Sequence, residues 1–230
     1  MKVSVITFPG SNCDHDAMEA FALRGHEVKN IWHKDHDLQS PDLVILPGGF
    51  SYGDYLRCGS IAKFSPIMKE VISYAQKGGM LFGICNGFQI LTECGLLPGT
   101  LMMNKSLQFI CQHQYIRVES NDTPYTYGLD KGKALDIPIA HKEGNFFIDE
   151  AGLKSLQDNN RIVFRYCDKD GNATPEANPN GALDNIAGIC NKERNVMGMM
   201  PHPERAASEH VVSQDGLFII KAIENYFNHR

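Results

Sequence analysis

Met80-Leu81-Phe82-Gly83-Ile84-Cys85-Asn86-Gly87 is an apolar run that ends on a Gly-x-Cys-x-Gly step. The run is short and uninterrupted, as expected for a strand buried on both faces. A helix pattern follows from Gly87 to Cys94 and closes at Gly95. A strand that passes abruptly into a helix around a nucleophile has the form of a nucleophile elbow. The flanking glycines have a physical reason, because the backbone at such a turn lies too close to its neighbours for a side chain.

The same alternation continues upstream. Val3 to Phe8 is rich in β-formers and stops at Pro9-Gly10. Asp14 can cap a helix over 15–24 that stops at Gly25. Glu27–Trp32 and Leu43–Leu46 follow as strands, the second stopped by Pro47-Gly48-Gly49, and a helix is predicted within 60–77. Strand–helix alternation of this kind means βαβ units and a parallel sheet. Downstream the pattern changes. Residues 108–119, 135–140, 145–149 and 161–167 look like strands with few helices between them, which implies an antiparallel extension of the same sheet. Residues 168–181 form a long loop, 185–190 and 195–200 a hairpin. Asp215 caps a last helix with Leu217, Ile220, Ile223 and Phe227 on one face. The expected fold class is therefore α/β: one domain over 1–230, with a mostly parallel central sheet flanked by helices and an antiparallel extension.

Composition narrows the function. The 230 residues are 43% hydrophobic and 21% charged, which excludes disordered and fibrous classes. A net charge of −5 argues against a nucleic-acid binder. No apolar run reaches the ~18 residues of a membrane span. The first residues lead straight into a strand without signal-peptide features, so a cytoplasmic protein is expected. Seven cysteines, with no two within four residues of each other, disfavour both a disulfide framework and a Cys-x-x-Cys site. Most then serve as small buried hydrophobes, and a functional one would act as a lone nucleophile.

Cys85 is that candidate. A helix N-terminus favours thiolate over thiol, and the N–H of Asn86 is left free to donate to an oxyanion. Pro201-His202-Pro203-Glu204 is the second signal. Pro203 biases His202 to an extended conformation, in which residues two apart point the same way. Glu204 could then orient the imidazole while its other nitrogen serves as base. Each signal alone also fits a structural role, as a buried cysteine beside packing glycines or as a proline turn with solvated side chains. Together they make a complete thiol triad. Pro47-Gly48-Gly49-Phe50-Ser51-Tyr52-Gly53-Asp54 sits at a strand's C-terminal end and matches no nucleotide fingerprint. It could supply a second oxyanion donor, or be a plain turn. Trp32-His33-Lys34-Asp35-His36-Asp37 has no matching ligand cluster, so no metal site is expected there.

With these motifs in place, the sequence resembles class I glutamine amidotransferases, and within them the glutaminase subunits of phosphoribosylformylglycinamidine synthases. The elbow, the Pro-Gly-Gly loop and His-Pro-Glu mark the class. The subgroup is marked by Phe8-Pro9-Gly10-Ser11-Asn12-Cys13-Asp14, Gly49 to Gly59, Asn178-Pro179-Asn180-Gly181 and Met200 to Arg205. The match covers nearly the whole chain. One departure is Lys142, in His141-Lys142-Glu143-Gly144, where the family usually carries glycine in a loop whose backbone contacts glutamine. The resemblance implies Cys85, His202 and Glu204 as the triad, with Gly49 and Asn86 as oxyanion donors and Gln89 as a contact to the substrate. It implies L-glutamine as substrate and ammonia as product, passed to a large synthetase subunit, with a small bridging subunit in the same complex. ATP and magnesium would belong to the synthetase, leaving no cofactor in this chain. The alternative is a free-standing cysteine-elbow hydrolase.

Overall fold

The computed structural model describes residues 1–229. In chain order the elements are β1 (Lys2–Thr7), α1 (Asp14–Ala22), β2 (Glu27–Trp32), β3 (Leu43–Leu46), α2 (Pro66–Gln76), β4 (Met80–Ile84), α3 (Asn86–Glu93) and β5 (Thr100–Met102). They continue with β6 (Ile110–Val118), β7 (Ala134–His141), β8 (Asn145–Phe147), α4 (Glu150–Asp158), β9 (Ile162–Tyr166), β10 (Ile186–Cys190), β11 (Val196–Met199) and α5 (Gly216–Asn228).

Nine strands form one sheet in the order β2-β1-β3-β4-β11-β10-β9-β6-β7. The first five pair in parallel, and β10, β9, β6 and β7 extend the sheet antiparallel. The apolar runs account for the centre. Every residue of β3, β4, β10 and β11 is buried, as in a sheet covered on both faces. β7 instead alternates half-buried and buried positions, with Leu135, Ile137 and Ile139 inward. Phe88 of α3 is fully buried against β11. A Cβ at Gly198 would lie 2.2 Å from its ring, so a glycine makes room for it. Truncation of a buried Phe of this kind costs about 3–5 kcal/mol.

Several local expectations need correction. Residues 145–147 are a strand, but β8 pairs with β5 in a separate two-stranded ribbon rather than extending the sheet. The turn at 141–144 lifts the chain off β7, and Phe146 stacks on Phe88, ring centroids 6.0 Å apart. Helix α4 was not expected. Its sequence buries only Leu156, and its start rests on Asp149 accepting from Gly152 N at 2.7 Å. The helix predicted within 60–77 is present as α2, which starts at Pro66 because proline can begin a helix but not continue one, with a separate 3₁₀ turn over Ala62–Phe64 before it. Asp14 is the first residue of α1 rather than its cap, and its carboxylate accepts from Thr7 Oγ1. Asp215 precedes α5, yet its carboxylate accepts from Asp136 N of β7 at 2.8 Å, tying the last helix to the sheet. The buried face of α5 is centred on Ile219, Ile220, Ala222 and Ile223, with Leu217 and Phe227 half-buried at its margins.

Candidate active site

The C-terminal ends of β1, β3, β4 and β11 lie side by side. The segments that leave them are Phe8–Cys13, Pro47–Asp54, Cys85 and Met200–Glu204. Ligands of parallel α/β sheets bind at this edge.

Cys85 stands between β4 and α3 with φ 50° and ψ −105°, a left-handed conformation that costs energy for any side-chain-bearing residue. The turn is closed from both sides. A Cβ at Gly87 would sit 1.9 Å from Leu46 O, and one at Gly83 would meet Leu91 Cδ1 at 2.5 Å. Cys85 N donates to Met199 O at 2.8 Å, which fixes the elbow against β11. The thiol is buried, with Ala140 O 3.7 Å away.

His202 is buried beside it, and its Nδ1 lies 2.7 Å from Glu204 Oε1. The segment is not extended as the sequence reading had it. Pro203–Ala206 is a 3₁₀ turn, so Glu204 reaches the ring across a turn rather than along a strand. Pro203, with φ fixed, suits the first position of that turn. Burial alone would lower the imidazole. The Glu204 carboxylate, then the charge of Cys85 and the nearness of the Cys13 and Cys85 thiols, outweigh it and hold His202 well above its ordinary range. Among the described residues, His202 Nε2 and Glu204 Oε2 are buried and find no hydrogen-bond partner. Cys13, whose sequence context alone points to no role, is a second thiol here. Its Sγ, a ring nitrogen of His202 and a carboxylate oxygen of Glu204 all lie within 4.8 Å of one another, so these three have the spacing of metal ligands.

The Gly48-Gly49 loop faces this group. A Cβ at Gly48 would lie 2.6 Å from His202 Cε1, and Gly49 has φ +146° with Ser11 Cα 2.7 Å from where a Cβ would be. The loop is pinned by the segment after β1: Phe50 N donates to Gly10 O at 2.9 Å and Cys13 N to Gly48 O at 3.2 Å. The N–H groups of Gly49 and Asn86 take no part in the backbone bonding of these turns. Asn86 and Gln89 are joined side chain to side chain. Asn86 Nδ2 donates to Gln89 Oε1 at 2.8 Å, Asn86 Oδ1 accepts from Ser51 N at 3.3 Å, and Gln89 Nε2 donates to Glu143 O at 2.6 Å. Gln89 therefore borders the site with its amide engaged to the 141–144 loop.

A cavity of about 320 Å³ opens above the elbow, lined by Gly49, Cys85, Gln89, Phe109 and the Ala140–Glu143 segment. Phe50, Asp54 and Cys58 complete its wall. Burial raises the Asp54 carboxyl, and nearby Glu143 adds to the effect while the Cys58 thiol opposes it. Asp54 ends the Pro47–Asp54 segment, and only the fold shows that it faces the cavity. The arrangement can hold a small polar molecule against a thiol that has an acid–base partner and two N–H donors nearby.

Such a centre defines a class of cysteine-dependent amidotransferases. The model of the CobB/CobQ-like glutamine amidotransferase domain matches residues 1–215, and the chain belongs to that family. Helix α5, beyond the matched residues, packs back on the 203–206 turn and β7. Among the proteins it is similar to are phosphoribosylformylglycinamidine synthase subunits. It is 55% identical to the phosphoribosylformylglycinamidine synthase subunit PurQ of Koribacter versatilis, over 97% of both chains. It is 54% identical to that of Sulfurimonas denitrificans, over 96% of this chain and 98% of the relative. The structure of PurLQS from Thermotoga maritima contains a chain that superposes with a TM-score of 0.86 and 41% identity, over 98% of both chains. A glutamine amidotransferase of Thermotoga maritima, 18% identical with a TM-score of 0.55 over all of this chain and 84% of that one, shares the fold.

Proposed function

We propose that this chain, as one domain over residues 1–230, is the glutaminase subunit of a phosphoribosylformylglycinamidine synthase. Cys85 gives its thiol proton to His202, and its Sγ attacks the side-chain amide carbon of L-glutamine. The Gly49 and Asn86 N–H groups stabilise the oxyanion. His202, oriented by Glu204, gives its proton to the nitrogen as the C–N bond breaks, and ammonia leaves. Water, deprotonated by His202, then cleaves the glutamyl thioester to glutamate and regenerates the thiol. The observation that carries this reading is Cys85 at the floor of a cavity sized for an amino acid, with the buried His202–Glu204 pair behind it.

The ammonia goes to a large synthetase subunit that binds ATP and magnesium and converts formylglycinamide ribonucleotide to the amidine. A small subunit bridges the two. Released into water, ammonia would protonate and lose its nucleophilicity, so the two sites must meet. Tyr55 and Leu56, which are 74% and 93% exposed, lie between the cavity-lining Asp54 and Cys58 and suit a docking face beside the mouth. A cytoplasmic setting agrees with seven unpaired cysteines, and no described helix is long and apolar enough to cross a membrane. The test compares glutamine hydrolysis by the purified chain alone and with its synthetase and small subunit. Amidine formation from glutamine only in the assembled complex is the expected result. Full glutaminase activity of the lone chain, with no gain and no co-purification with the synthetase, would favour a free-standing hydrolase.

A further inference from the structure

The Asn178-Pro179-Asn180-Gly181 segment is the family motif that the chemistry above leaves unused. Asn180 is completely buried, far along the chain from the elbow, yet its amide reaches the loop that roofs the cavity. Asn180 Nδ2 donates to Gly144 O at 2.8 Å and lies 3.5 Å from His141 Nε2. Asn104, also completely buried, holds the same loop from the other side. Its Oδ1 accepts from Gly144 N at 3.0 Å and lies 3.2 Å from His141 Nδ1, while its Nδ2 donates to His141 O at 2.9 Å. The two segments are joined, since Lys105 N donates to Asn180 O at 2.9 Å.

The accounting for residues 141–144 is complete on one side only. The four carbonyls are all engaged: His141 O by Asn104 Nδ2, Lys142 O by Asn104 N, Glu143 O by Gln89 Nε2 and Gly144 O by Asn180 Nδ2. The N–H groups of Lys142 and Glu143 enter none of these bonds, and both residues line the cavity. Burial, helped by the nearby charge of His202, pushes His141 down to about 3, so its ring is neutral. A neutral ring with Nδ1–H toward Asn104 Oδ1 leaves Nε2 to accept from Asn180, which satisfies every polar atom of the clamp.

We propose that Asn104 and Asn180 are positioning residues for substrate, clamping the His141–Gly144 loop so that its two unbonded N–H groups receive the carboxylate of glutamine. This rests on the glutaminase reading and concerns binding rather than the chemical step. Neither asparagine touches the substrate. Each acts through backbone it holds still, and paired N–H donors from adjacent residues are an anion-binding arrangement.

The experiment uses the complete synthase complex. Asn180→Asp keeps the shape and the acceptor that receives Ala182 N, but removes the donor to Gly144 O. Asn180→Ala removes the donor without burying a charge and serves if the aspartate variant does not assemble. The expected result is a KM for glutamine raised roughly tenfold, about the contribution of one hydrogen bond. kcat should stay within about threefold. Iodoacetamide, which needs no loop, should label Cys85 at the parental rate, and amidine synthesis from ammonium salts should be unchanged. An unchanged KM in both variants would overturn the proposal. So would a fall in kcat and in iodoacetamide labelling at constant KM, which would place Asn180 behind the thiol rather than the substrate. A parent complex that leaves glutamine untouched sinks the glutaminase reading itself, and that failure is seen before any variant is made.

Discussion

The two halves of the sheet contribute to the site in different ways. The parallel half delivers its chemistry at strand ends, each group a residue or a few past its strand: Gly49 after β3, Cys85 after β4, His202 after β11. The antiparallel half delivers a loop, 141–144, whose shape depends on Asn104 and Asn180 from two other segments. Chemistry in the first half is local and covalently fixed. Binding geometry in the second is a convergence of remote buried amides. If the division holds, damage to the first half should appear in kcat and damage to the second in KM.

The largest effect tests the first half at its centre. Cys85→Ala should reduce glutamine-dependent amidine synthesis by at least about 10⁴-fold, because no other nucleophile occupies the elbow. Synthesis from high ammonium at mildly alkaline pH should persist, measured on the assembled complex. Use of glutamine at the parental rate would remove Cys85 from the mechanism.

Next come the partners of the thiol. His202→Ala should cost about 10³-fold or more in kcat, and Glu204→Gln less, since an amide can still orient the ring. The pH profile carries a sign. Glu204 helps hold the His202 imidazolium above its ordinary range, so the proton for the leaving group is retained well above neutrality in the parent. Glu204→Gln removes that charge and leaves burial, which lowers the imidazole. The alkaline limb of kcat/KM should therefore move to lower pH. A limb that stays in place would mean that Glu204 orients the ring without setting its charge.

A smaller effect probes the packing between the two. The Cβ of Gly48→Ala would fall 2.6 Å from His202 Cε1 and 3.0 Å from Cys13 Sγ. Displacing the ring should lower kcat by about tenfold to a hundredfold with KM little changed. Equal loss in both parameters would show that the Gly48 turn also shapes the cavity.

The contrast between the halves also explains what the sequence revealed. Gly83-Ile84-Cys85-Asn86-Gly87 and His202-Pro203-Glu204 were legible because sterics at a sharp turn and a two-residue spacing are written locally. The conformation of the second was not: Pro203 starts a 3₁₀ turn, so the pairing with Glu204 was right and the extended geometry was not. Buried runs such as Leu43–Leu46 announced the parallel sheet, whereas β8 looked like one more sheet strand, since nothing local records that Phe146 is drawn to Phe88. Cys13, Asp54, Asn104 and Asn180 carried no local signal of their place in the site. Their significance lies in contacts with residues tens of positions away.

The smallest effect concerns Lys142, where the family usually carries glycine. A glycine would be needed here if the backbone were left-handed or if a Cβ had no room. Neither holds. Lys142 is not among the residues with positive φ, and its side chain is exposed. What the loop offers to substrate is main chain, and its carbonyl is already held by Asn104 N at 2.8 Å. Lys142→Gly should therefore leave KM for glutamine within about twofold. It should lower stability by about 0.5–1 kcal/mol, because a glycine frees the unfolded chain without relieving any strain in the folded one. Thermal unfolding and steady-state glutaminase rates of the complex measure the two separately. A KM raised as far as in the Asn180 variants would show that the lysine side chain, and not the clamped backbone, meets the substrate.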